Sequence, residues 1–63
     1  MQLDVIAPPG GVMTDEVGAI TGELTLAASE DTASVKVQYK DAAEWYTVSP
    51  ESMDWVKQQL EGH

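Results

Sequence analysis

The chain has 63 residues, enough for one small domain and no more. It contains no cysteine, which excludes disulfides and thiolate zinc sites, so its stability rests on an efficient core or on a partner surface. Eleven acidic residues face three lysines (Lys36, Lys40 and Lys57) with no arginine, for a formal net charge of −8. Binding to nucleic acid depends on Lys and Arg that neutralise phosphates and read base edges. Direct nucleic-acid binding is therefore not expected, and anionic membranes repel such a chain for the same reason. The natural partner is another protein with a basic surface. The plainer reading is that the acidity serves only solubility.

Residues Met1 to Ala7 alternate in part, with Met1, Leu3 and Val5 on one side, and predict a short strand. Pro8-Pro9-Gly10-Gly11 stops it: two backbone donors are missing and two residues tolerate positive φ. Val12 to Gly22 supports two readings. Thr14 can cap a short helical turn, or a strand is interrupted at Gly18 and Gly22; the strand is preferred. Glu23 to Ala28 alternates, and Ser29 to Thr32 is a polar loop of hairpin length. Ala33 to Lys40 alternates most regularly, with Ala33, Val35, Val37 and Tyr39 facing the core and Ser34, Lys36, Gln38 and Lys40 facing water. After the turn Asp41-Ala42-Ala43, Glu44 to Val48 has high strand propensity.

Ser49-Pro50-Glu51 marks a helix start. Ser49 suits the cap, Pro50 the first helical position, and Glu51 the positive end of the dipole. Val48 and Met53 are spaced for a hydrophobic staple. The helix is predicted from Pro50 to Leu60 or Glu61, with Gly62 as its stop.

The fold class that follows is α+β: a small curled antiparallel sheet of three to five strands with one C-terminal helix at about 50–61. A small SH3-like barrel is one way to curl the sheet, and a flatter sheet with the helix across it is the other. No apolar run approaches the ~20 residues of a membrane span, and no basic, apolar leader opens the chain, so a cytoplasmic location, or the mature form of a processed protein, is expected. Leu3-Asp4-Val5-Ile6-Ala7-Pro8 with Val17 to Leu24 resembles the opening strands of the F-type ATP synthase epsilon subunit over less than half the chain. Val35 to Leu60 is similar in layout to small bacterial domains named for a Lys-Thr-Ser-Cys motif, but that motif is absent here. Neither resemblance implies a function.

Catalytic equipment is sparse. His63, the single histidine, is the final residue, where structure to hold a base is scarce. No nucleophile elbow, phosphate loop or His-Glu-x-x-His occurs, and no cofactor motif is found. The carboxylate pairs Asp15-Glu16 and Glu30-Asp31, and Asp41 with Glu44, lack the alternate spacing of a calcium loop and read as solvated charges. The chain is therefore expected to be a binding module and not an enzyme.

The candidate partner-binding residues are aromatic. Met53, Val56 and Leu60 share one side of the predicted helix, and Trp55 lies about 140° from the centre of that stripe. Trp45 and Tyr46 are strand neighbours and point to opposite faces. Trp55 with one of that pair, ringed by Glu44, Glu51 and Asp54, forms an apolar centre with an acidic rim, the anatomy of a protein-binding surface. The plainer reading for Trp55 is that it wraps a helix flank. Three functions follow in order: a small regulator, inhibitor or assembly subunit; a nucleic-acid mimic that occupies the basic cleft of a DNA- or RNA-binding enzyme; and a structural subunit that self-associates through a strand edge.

Overall fold

The computed structural model describes residues 2–29 and 35–62. The expectations for Met1, the loop carrying Glu30-Asp31, the start of the alternating strand at Ala33 and Ser34, and His63 lie outside the described residues.

Seven elements follow in chain order: β1 (Gln2–Ile6), β2 (Val12–Thr14), β3 (Gly18–Ile20), β4 (Glu23–Ala28), β5 (Val35–Tyr39), β6 (Tyr46–Thr47) and α1 (Pro50–Glu61). The architecture is α+β. A four-stranded antiparallel sheet has the order β1-β4-β5-β6, and β2 and β3 form a separate hairpin. A bridge between Thr14 and Val48 joins the hairpin to the end of the sheet. Strand pairing closes no barrel among the described residues, so the SH3-like alternative is not what the sheet adopts. The reason lies at β1, which pairs with β4 alone and leaves its other edge open.

The preferred strand reading of 12–22 resolves into the β2–β3 hairpin. Thr14 closes its loop: its Oγ1 accepts from the Val17 N–H at 3.2 Å and donates to the Gly18 carbonyl at 2.7 Å. The threonine thus caps a turn between strands, not a helix. Upstream, the Gly11 N–H bonds to the Pro8 carbonyl at 2.8 Å. Gly11 has φ +82, and a Cβ there would meet the Ile20 carbonyl oxygen at 2.7 Å, so no other residue fits without movement.

The core gathers Val12 and Ile20 from the hairpin, Leu24, Leu26, Val35 and Val37 from the sheet, and Val48 and Val56 from the helix entry and the helix. Sheet register explains the sheet residues. Leu3, Leu26, Val37 and Tyr46 lie opposite one another in one row, and Val5, Leu24 and Tyr39 in the next row on the same face. Tyr39 departs from expectation. It has the core-facing phase but is 43% exposed, because it ends β5, where the core row runs out beyond Leu24. The following turn bends away at once, with Asp41 at φ 65 and the Ala42 N–H bonded to the Tyr39 carbonyl.

The helix forms over the expected span, with Pro50 in its first turn and Glu51 beside its positive end. Both ends differ in detail. The Ser49 side chain caps no helix amide and instead donates to Asp15 Oδ1 at 2.5 Å. Gly62 keeps right-handed φ of −72, and its N–H bonds to the Gln58 carbonyl at 3.0 Å, so the stop uses no left-handed glycine. Tertiary bonds hold the N-terminus: the Ser49 N–H donates to the Met13 carbonyl at 2.8 Å, and the Met13 N–H donates to Ser52 Oγ at 2.8 Å. No helix among the described residues is long and apolar enough to cross a membrane.

Candidate functional site

The helix places Trp55 off the Met53–Val56–Leu60 stripe and on a packed flank, which is the plainer of the two sequence readings. Val56 is fully buried, Met53 and Leu60 are partly buried, and Trp55 is also packed against the core. Ser52 explains this placement. Its hydroxyl must face the hairpin to receive the Met13 N–H, which turns the buried face to centre on Ser52, Val56 and Gln59. At 100° per residue, Trp55 then lies on one flank of this face and Met53 with Leu60 on the other. Trp55 is half-buried and acts as a flank of the core. The apolar stripe carried no sign of this, because the residue that sets the rotation is polar.

Trp45 and Tyr46 divide as their alternation requires. Tyr46 packs against the core. Trp45, one residue ahead of β6, is 39% exposed. The Tyr46 hydroxyl donates to Glu44 Oε2 at 3.1 Å. That bond to a carboxylate, with burial and the charge of Glu44 adding to it, raises the Tyr46 phenol above its ordinary value. Glu44, Glu51 and Asp54 are all exposed. The hydrogen bonds therefore bring Glu44 and Tyr46 together, while no hydrogen bond among the described residues joins Trp45, Glu51 or Asp54 to them.

Sequence reasoning missed the network at the β6 edge. Glu16, in the hairpin loop, accepts the Thr47 N–H at 2.8 Å on Oε1 and the Thr47 hydroxyl at 2.9 Å on Oε2. The Asp15 N–H donates to the Thr47 carbonyl at 3.1 Å, and Lys36 Nζ donates to Thr47 Oγ1 at 2.7 Å. One glutamate thus occupies the backbone donor that an edge strand would leave bare. The Thr47 N–H is the leading cause of a lowered Glu16 carboxyl, with its hydroxyl and the charge of Lys36 contributing in the same direction. Asp15-Glu16, read from sequence as solvated charges, is the clasp that joins hairpin, sheet and helix start.

A shallow groove of about 200 Å³ lies at the other end of the sheet, lined by Asp4, Val5, Ile6, Glu23, Leu24 and Lys40. Asp4, Ile6, Glu23 and Lys40 project from the outer face. Asp4 Oδ1 accepts the Thr25 hydroxyl at 2.9 Å, and Ile6 is 66% exposed. No three carboxylate or histidine side chains converge as metal ligands among the described residues. No family model, no curated protein and no solved structure matches the chain.

Proposed function

We propose that the chain is a non-catalytic protein-binding module of the cytoplasm, a small regulator, inhibitor or assembly subunit that engages a basic partner through an aromatic patch with an acidic rim. The observation that carries this reading is Trp45, a large indole left 39% exposed beside Glu44 in a chain with few aromatics. Tryptophan is enriched where interfaces concentrate their binding energy. Tyr46, on the opposite face, packs against the core, and its hydroxyl donates to the Glu44 carboxylate next to Trp45 in the chain. Glu51, Asp54 and Trp55 on the helix extend the acidic and aromatic surface in this reading, with Trp55 contributing only its exposed edge. The net charge of −8 steers a basic partner towards the patch.

Trp45 and Trp55 must be tested differently. Trp55→Ala removes a group packed on the core and weakens folding, so it cannot separate binding from stability. Trp45→Ala removes a ring that lies outside the core cluster, so it should disturb folding less than Trp55→Ala. Wild-type and Trp45→Ala chains, both verified by circular dichroism, are immobilised and exposed to lysate of the source cells, and bound proteins are identified by mass spectrometry. A stoichiometric partner retained by wild type and lost with Trp45→Ala is the expected result. Equal retention by both chains removes Trp45 from the reading.

A further inference from the structure

The two edges of the four-stranded sheet are treated in opposite ways. The β6 edge is clasped by Asp15 and Glu16. The β1 edge carries no such cover among the described residues. Its pattern of free groups follows from register. The Ala7 N–H bonds to the Gly22 carbonyl at 2.9 Å, and this pair continues the register in which Val5 opposes Leu24 and Leu3 opposes Leu26. Backbone groups of alternate residues point to opposite sides of an antiparallel strand. Leu3, Val5 and Ala7 therefore direct theirs at β4, while Gln2, Asp4 and Ile6 direct theirs outwards. Pro8, next in the outward series, has no N–H, so the usable edge ends at Ile6.

The side chains along this edge restrict what can pair with it. A second copy of β1, antiparallel about Asp4, would set one Asp4 directly opposite another and bring two chains of charge −8 together. That opposes self-pairing. Leu3 and Val5, on the core face, are only half-buried because no strand flanks them on the open side. A strand with apolar residues on its inner face would cover them. On the outer face, Asp4 adjoins the open edge, and Glu23 lies one strand further in. Strands are about 4.8 Å apart, so Lys36 on the β5 line stands roughly 14 Å from an added strand, beyond the ~8–10 Å screening length, while Lys40 lines the outer-face groove together with Asp4, Ile6 and Glu23. At the edge itself an incoming strand meets Asp4 first.

We propose that the open edge of β1 accepts an extended segment of a partner protein as a fifth strand, with basic residues on its outer face beside Asp4 and apolar residues on its inner face beside Leu3 and Val5. This deepens the protein-binding reading and rests on it for the source of the strand. It does not depend on Trp45, which lies at the opposite edge of the sheet.

The test uses a blocked heptapeptide of alternating lysine and valine, followed by amide hydrogen exchange on the full chain. The expected result is slowed exchange at Gln2, Asp4 and Ile6, with Leu3, Val5 and Ala7 little changed because β4 already holds them. Asp4→Asn, which keeps an acceptor for Thr25, weakens binding about 2- to 5-fold, the range of one cross-strand charge pair. A probe N-methylated at the residues facing β1 does not bind, and neither does a glutamate–valine peptide. Each of these results would overturn the proposal: no binding at millimolar probe, binding without protection of those three amides, equal binding of the N-methylated probe, or equal binding of the acidic peptide. Perturbation at Trp45 alone overturns this proposal and leaves the Trp45 reading standing. Concentration-dependent protection of the same amides without probe makes a second copy the occupant and overturns the basic segment.

Discussion

Val56→Ala tests whether the helix is held by the core as described. Val56 is the one fully buried side chain on α1, and it meets residues from both the sheet and the hairpin in one cluster. The substitution removes the equivalent of two methylene groups, worth about 1.6 kcal/mol in transfer free energy. If the site does not collapse, the roughly 50 Å³ vacated adds about 1.2 kcal/mol. The better helix propensity of alanine returns about 0.5 kcal/mol. The net loss is about 1–2.5 kcal/mol. A domain of this length has a total stability of about 3–9 kcal/mol, so this loss is a large share. Urea unfolding followed by tryptophan fluorescence should show a lower midpoint with an unchanged slope, and calorimetry a Tm lower by about 5–20 °C. Val17→Ala, at a position 53% exposed, is the matched control and should change stability by no more than about 0.5 kcal/mol. A Val56→Ala midpoint indistinguishable from that control would refute the packing of the helix on this core.

The remaining predictions concern the clasp, the patch and the turn. Glu16 has a lowered carboxyl in the fold, so its contribution is present above the ordinary glutamate value and lost as pH falls through the lowered folded value. Acid titration of stability should be shallower for Glu16→Gln than for wild type over that window, and identical curves would remove Glu16 as the clasp. The Tyr46 phenol is raised chiefly by its bond to Glu44, so Glu44→Gln should move its ultraviolet titration midpoint downwards. An unmoved midpoint would show that the hydroxyl bonds elsewhere. Gly11→Ala places a Cβ 2.7 Å from the Ile20 carbonyl oxygen at positive φ and should cost about 1–3 kcal/mol in urea unfolding. A neutral result would mean that the Pro8–Gly11 turn adopts another backbone path.

What the sequence by itself determined was local. The helix Pro50–Glu61 was legible because Ser49, Pro50 and Glu51 act within one turn of the backbone. β4 and β5 were legible because alternation with period 2 reports burial of one face. The division of Trp45 and Tyr46 followed from the same geometry. Tertiary structure decided the rest. Ser49 had the chemistry of a cap, but Asp15 from a distant loop takes its hydroxyl. Tyr39 had the phase of a core residue, but the core row ends where it stands. Trp55 had two readings, a free patch or a wrapped helix flank, and the bond between Ser52 and Met13 sets the helix rotation that carries the indole to a packed flank. The Glu16 clasp joins residues 31 positions apart and leaves no periodic trace. Local signals state what a residue can do at its own position. Which partner it meets depends on chain segments that only the assembled fold brings within reach.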